Sequence, residues 1–252
     1  MTISSIENTS GIDLGILGTH LGFIDGLVPD EHGNLPRNSA GDLAVYAGSR
    51  DICELSPVKV DTIQISSFGG TKSDDADELI TNLKSLGLET QLVMMVGGVN
   101  PMNPDDEDGA VEQLLVHMET AKRHGITQVN STSVETWLDG EPPKNDEEFQ
   151  ARIAQNIKLH HRVYRDGDLA NSCIKNWNIE FLRPGEFQNF TSLAKLKPVL
   201  DGLKAEIGSS YFKALIDAAH CGDSGLSLPE NEALIAELSL IHISEPTRRK
   251  HI

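Results

Sequence analysis

The sequence predicts an α/β fold of the (β/α)8-barrel type that is incomplete, with about six of the eight βα units. Apolar strand-like segments alternate with amphipathic helix-like segments, as in a parallel sheet covered by helices. Glycine pairs follow two of the strands without forming a G-x-G-x-x-G turn, which disfavours an open dinucleotide-binding sheet. Polar side chains stand at strand ends, where a barrel carries its active site: His20, Ser66, Asn130, Glu180 and Asp217.

The elements follow one another in a regular order. The predicted strands are short apolar runs that cover 12–22, 60–70, 89–98, 126–133, 176–182 and 211–217. The predicted helices are amphipathic and cover 40–54, 74–87, 106–125, 145–167, 191–208 and 229–238. Acidic residues in the first turn and a glycine just past the end support the helix at 74–87. Pro198 lies inside a predicted helix, so we expect a kink or a break there.

Composition narrows the class of protein. The 252 residues are 38% hydrophobic, enough for one sizeable core. The three cysteines are far apart, and we see no signal peptide and no apolar run of ~18 residues. These features predict a cytoplasmic protein in a reducing compartment, without a membrane partner. The net charge of −17 repels phosphate backbones, so nucleic acid is excluded as an expected partner.

The C-terminal segment departs from the βα pattern. The string LSLIHISEPTR, which begins at Leu238, resembles the translation of an adapter used to build sequencing libraries. We therefore expect residues 1–237 to form a partial barrel and residues 238–252 to be a non-native tail. The expected consequence is a truncated chain that lacks strands seven and eight.

Two short motifs carry the chemistry. Glu180 closes the fifth predicted strand and Glu186 follows six residues later, while Asp217 closes the sixth strand and His220 follows three residues later. Adjacent strand ends are neighbours in a barrel, so we expect the carboxylates of Glu180 and Asp217 within roughly 4–7 Å of each other. Two such carboxylates repel each other unless a cation lies between them. Carboxylate and imidazole ligands suit Mn²⁺, Mg²⁺, Co²⁺ or Zn²⁺.

With these two motifs the chain resembles the xylose isomerase-like TIM barrels, in the sugar isomerase and epimerase branch related to D-tagatose epimerase. The resemblance implies that Glu180 and Asp217 bind the metal and that Glu186 and His220 contact a small-molecule sugar. It also implies two further metal ligands, from strands seven and eight. The implied reaction is removal of a proton beside a carbonyl, through an enediolate, with Glu180 as one of two bases.

Each assignment has a simpler alternative. Glu180 can be a salt-bridged carboxylate, Asp217 can cap the loop after strand six, and Glu186 and His220 can be ordinary loop residues. His20 and Trp137 are weaker candidates for contact with the sugar, the latter as a flat stacking surface; packing explains both equally well or better. His160 and His161 are interpreted as surface or packing residues.

Two other classes of function stay open. One is a metal-dependent lyase or hydrolase on the same barrel, of the inosose dehydratase or endonuclease kind. The other is a non-catalytic sugar-binding barrel. A homo-oligomer of the full-length protein is also left open, and the truncated chain itself is expected to be inactive.

Overall fold

The computed structural model of the protein describes residues 13–18, 24–132, 135, 140–238 and 242–243. The chain divides into two compact units. The first comprises residues 1–95 and 117–127, and the second comprises residues 96–116 and 128–252. Helix α3 (Glu107–Arg123) contributes residues to both units.

The first unit contains three parallel strands and two helices. The strands are β1 (Gly15–Leu17), β2 (Thr62–Ser67) and β3 (Glu89–Met94), with β2 paired to both neighbours. Helices α1 (Ala44–Leu55) and α2 (Ser73–Ser85) precede β2 and β3. Ile63 and Ile65 of β2 are buried in the core, because alternate side chains of a strand point to the same face.

The second unit carries the remaining parallel strands, β4 (Gln128–Thr132), β5 (Asn176–Glu180), β6 (Phe212–Ile216) and β7 (His242–Ile243). Helices α4 (Asp146–Asp166) and α5 (Leu193–Ile207) connect the first three of these strands. Two more helices, α6 (Ala218–Asp223) and α7 (Leu228–Leu238), follow β6. The side chain of Asn145 caps α4 by accepting a hydrogen bond from the Glu148 amide at 2.9 Å.

The two faces of the strands in the second unit differ in chemistry. On the helix-covered face, the ring of Trp177 lies 4.7 Å from His160 of α4 and 5.2 Å from Phe212, measured between centroids. Because side chains alternate along a strand, Asn178 and Glu180 occupy the opposite face. That face therefore offers polar side chains at and before the C-terminal end of β5.

The predicted order of the six strands and of the helices between them is confirmed. The two-residue strand β7 is not among the predicted strands, and it lies in the segment expected to be a non-native tail. The strands are shorter than predicted, because the glycines and polar residues at their ends leave the ladder. Helix α5 runs without a break through Pro198, so the predicted break is wrong and the kink stays a prediction. Leu196 and Val199, on either side of the proline, are buried, and this burial offsets the missing N–H. The glycine-rich loop expected after β6 begins instead with the short helix α6.

Two further expectations can be compared directly. His160 is fully buried, so it is a packing residue. None of the helices described here is both long enough and apolar enough to cross a membrane.

Candidate metal and substrate site

Strands β5 and β6 bring Glu180 and Asp217 to the same edge of the second unit. Glu180 is the last residue of β5, and it pairs with Leu215 of β6. Asp217 lies two residues beyond Leu215, so both carboxylates leave the same face of neighbouring parallel strands. The local cause is the sequence of each strand: its apolar residues are buried in the core, and the acid lies at or just past the C-terminal end of the strand.

His220 completes a compact cluster with these two carboxylates. One donor atom from each of Glu180, Asp217 and His220 lies within 4.8 Å of the others. His220 Nδ1 is 3.3 Å from Glu180 Oε1, and His220 Nε2 is 3.9 Å from Asp217 Oδ2. The donor atoms of Glu180 and Asp217 are thus no more than 4.8 Å apart, which does not exceed the upper limit expected from the sequence. The roles of these residues stay predictions.

Asp217 divides its two carboxylate oxygens between structure and site. Its Oδ1 accepts a hydrogen bond from the backbone amide of Ala219 at 2.7 Å and caps helix α6. Its Oδ2 faces His220. The capping alternative is therefore correct for one oxygen, and the second oxygen still belongs to the cluster.

Glu186 reaches the same cluster from the loop after β5. Its Oε2 lies 3.7 Å from His220 Nε2, on the side of the imidazole away from Glu180. Arg183 pairs with the same carboxylate, with Nε 3.2 Å from Oε2. Arg183 also lies near the exposed Asp223, with Nη1 3.9 Å from Oδ2.

The charges around His220 shift the pKa of its imidazole. Burial by itself lowers the pKa of His220, but contact with Glu180 and the nearby charges of Asp217 and Glu186 raise the pKa above its usual value overall. Two buried atoms of the cluster, His220 Nδ1 and Glu186 Oε2, have no well-aligned hydrogen-bond partner among the described residues. His220 thus lies among three carboxylates, and its Nδ1 lacks a well-aligned hydrogen bond to them.

These residues fit a divalent cation. Two donors that share one ion at ~2.0–2.2 Å lie no more than ~4.4 Å apart, so the widest separation needs to contract by only a few tenths of an ångström. The two carboxylates of Glu180 and Asp217 suit Mn²⁺ or Mg²⁺, whereas Co²⁺ or Zn²⁺ would also draw on the imidazole of His220. The unaligned atoms of His220 and Glu186 are what a cluster built for an additional ligand would show.

The remaining candidates from the sequence are His20, Trp137, Asn130 and Ser66. His20 and Trp137 fall outside the described residues. Asn130 lies in the middle of β4, fully buried, and accepts a hydrogen bond from Asn178 Nδ2 at 2.8 Å, which makes it structural. Ser66 is buried in the first unit and has no assigned role.

One residue near the site was missed by sequence reasoning. Glu135 is 6% exposed, and its carboxylate accepts hydrogen bonds from the loop that carries Glu186. Its partners lie 53 to 55 residues further along the chain. No local spacing could have signalled such a contact.

Comparison with known proteins defines the class of fold. The chain matches no protein-family model and none of the curated proteins. Solved structures do match: the fold is that of the barrels found in sugar epimerases, as the resemblance predicted. D-psicose 3-epimerase from Clostridium cellulolyticum H10, solved with D-tagatose, matches with a TM-score of 0.65 at 11% identity, over 92% of this chain and 72% of that one.

Two more structures support the same conclusion. An L-ribulose 3-epimerase matches with a TM-score of 0.62 at 15% identity, over 91% of this chain and 68% of its own length. A 3-keto-D-glucoside 4-epimerase from E. coli matches with a TM-score of 0.57 at 13% identity, over 84% and 78% of the two chains. Because the likeness extends over most of the chain, the (β/α)-barrel type of the fold is established.

Proposed function

We propose that the protein is a divalent-metal-dependent sugar epimerase or isomerase that acts beside a carbonyl group. The observation that carries the proposal is the cluster of Glu180, Asp217 and His220, with donor atoms within 4.8 Å of one another, at the ends of adjacent parallel strands. The matched structures are those of sugar epimerases, which supports the proposal. The substrate is a small ketose, free or phosphorylated.

Each residue of the cluster has a role in this proposal. Glu180 and Asp217 hold the cation, which when bound supplies positive charge beside the oxygens of the substrate. Glu180 also takes the proton from the carbon next to the carbonyl, and the electron pair of that C–H bond moves into an enediolate. A base on the opposite face returns a proton to the same carbon for epimerisation, or to its neighbour for isomerisation.

His220 and Glu186 orient the sugar. The imidazole lies between the two carboxylates of Glu180 and Glu186, so a substrate hydroxyl that enters there can donate to Glu186 and accept from His220. Arg183 pairs with the carboxylate of Glu186, whose Oε2 also lies 3.7 Å from His220 Nε2. The site therefore presents polar contacts to hydroxyl groups beside the proposed base.

Metal binding by the 252-residue chain is the first test. Titration with Mn²⁺, followed by electron paramagnetic resonance or calorimetry, should show one site that Glu180→Gln and Asp217→Asn each weaken strongly. Glu237→Gln is the matched control, because Glu237 is an exposed acid of the same unit that pairs with Lys197. Binding that survives both site substitutions would refute the proposed ligands.

Proton exchange tests the chemistry. The Mn²⁺-loaded protein, in a form that carries the two further metal ligands implied by the resemblance, should incorporate deuterium from solvent into a ketohexose. Glu180→Gln should reduce this incorporation to background, because an amide cannot take the proton. Undiminished exchange in the variant would rule out Glu180 as the base. Metal and sugar binding without exchange would favour the non-catalytic sugar-binding barrel.

A further inference from the structure

Glu135 makes an unusually complete set of hydrogen bonds for a carboxylate outside the proposed site. Its Oε2 accepts from the backbone amides of Gln188 at 3.2 Å and Asn189 at 3.0 Å, and from the Asn189 side chain. Its Oε1 accepts from the backbone amide of Phe190 at 2.9 Å. Four donors, three of them on Oε2, hold this nearly buried carboxylate, so its hydrogen bonds serve the loop and it is poorly suited to be a base or a metal ligand.

The segment that Glu135 holds is the loop that carries Glu186. The loop leaves β5 after Glu180 and folds back on itself, where the amides of Glu186 and Phe187 donate to the carbonyl of Arg183 at 3.2 and 3.3 Å. Glu186 therefore stands between two fixed points, the end of β5 and the Glu135 carboxylate. Phe187 is buried and fills the space beneath the turn.

A second residue extends this support to helix α4. The Oδ1 of Asn189 accepts a hydrogen bond from Arg152 at 2.6 Å, while its Nδ2 donates to Glu135. The two neighbours fix the orientation of the amide, because the oxygen must face the guanidinium and the nitrogen must face the carboxylate. The loop is thus tied to a rigid helix as well as to the chain after β4.

We infer that Glu135 is a positioning residue, which fixes the loop at residues 183–190 so that Glu186 faces His220 and the sugar. This inference rests on the function proposed above for the role of Glu186, but the placement of the loop can be measured independently. Glu135→Gln preserves size while turning one acceptor into an N–H₂ group that confronts backbone donors. Such a change removes hydrogen bonds to a charged acceptor, which are stronger than neutral ones.

Hydrogen exchange in the intact chain is the deciding measurement. In Glu135→Gln, amide exchange across residues 183–190 should accelerate by about tenfold or more, because charged hydrogen bonds that close the loop are lost. Glu107→Gln is the matched control: Glu107 is another nearly buried carboxylate of the same unit, paired with Lys158 and Arg162. Unchanged loop exchange in Glu135→Gln, or equal acceleration in both variants, would overturn the inference.

Ligand affinities distinguish positioning from a general loss of structure. The affinity for Mn²⁺ should stay within about twofold in Glu135→Gln, because the proposed metal ligands are on β5 and at the start of α6. The affinity for a ketohexose such as D-fructose, measured with Mn²⁺ present, should fall. Adding Glu186→Gln to Glu135→Gln should cause little further loss, since residues that act through one another are not additive. Fully additive losses would overturn the proposed link.

The two proposals fail in different ways. If Glu186→Gln alone leaves sugar affinity unchanged, the substrate role of Glu186 fails, and loop exchange still shows whether Glu135 holds the loop. If Glu186→Gln weakens sugar binding but Glu135→Gln changes neither loop exchange nor affinity, the positioning role fails and the proposed function stands.

Discussion

Acid should destabilise the second unit by protonating His160. This imidazole is fully buried in α4, between Trp177 and Phe212. Its Nδ1 donates to the carbonyl of Asn156 at 2.9 Å, so the bare Nε2 carries no proton and has no hydrogen-bond partner among the described residues. Burial lowers the pKa of His160 to about 4, and the hydrogen bond to Asn156 offsets only part of this shift.

The sign and size of the effect follow from this pKa. Between pH 6.5 and pH 4 the unfolded chain binds a proton at this histidine and the folded chain does not, so the free energy of unfolding falls as pH falls. With an unfolded pKa of about 6.5, the contribution lost is about 2 kcal/mol at pH 5 and about 3 kcal/mol at pH 4. Above pH 7 the contribution is fully present.

Urea unfolding at a series of pH values is the assay. Trp177 fluorescence reports the region directly, since its ring contacts His160, and Trp137→Phe removes the second tryptophan. His160→Leu removes the titrating group while keeping an apolar side chain. The quantity to compare is the difference in free energy of unfolding between the protein with His160 and its His160→Leu variant. Carboxylates that titrate in the same pH range contribute equally to both proteins and cancel in this difference. If this difference does not change between pH 7 and pH 4, the argument from burial is refuted.

Two further predictions concern local geometry. Gly33→Ala should destabilise the chain more than Gly70→Ala. Both glycines have positive φ, which costs an alanine ~1–2 kcal/mol, but a Cβ at Gly33 meets the carbonyl oxygen of Gly70 at 2.5 Å whereas one at Gly70 meets nothing within 4 Å. Urea midpoints that rank the variants the other way would contradict this. Asn145→Ala should lower the free energy of unfolding by about 1 kcal/mol, because it removes the cap on the Glu148 amide. Asn145→Asp should retain most of this stability. A thermal melt that does not shift in the alanine variant would show that the cap contributes nothing.

The sequence was sufficient for features that are local along the chain. The spacing of Glu180 to Glu186 and of Asp217 to His220 placed four residues that the structure brings to one cluster. This worked because a strand and the few residues after it move as one piece, so neighbours in sequence stay neighbours in space. The predicted distance between the carboxylates needed only the pairing of adjacent parallel strands.

The sequence was not sufficient where distant segments decide the outcome. Nothing in the sequence around Glu135 distinguishes it from a solvated acid. Its role depends on the backbone amides of residues 188–190, which donate hydrogen bonds to its carboxylate. Pro198 predicts a break from local sterics alone, but burial of the surrounding face of α5 outweighs the lost hydrogen bond. The residues after Asp217 resemble a loop because of their glycine, and the aspartate cap makes them helical.

The shared duty of Asp217 has a consequence for mutational scanning. One oxygen of Asp217 caps helix α6 and the other faces His220. Most substitutions at this position would therefore lower both protein abundance and activity. A scan that records growth alone would attribute the whole loss to catalysis. Asparagine caps helices about as well as aspartate but carries no charge. A library scored separately for abundance and for function should therefore find asparagine close to wild type on the first axis and far from it on the second.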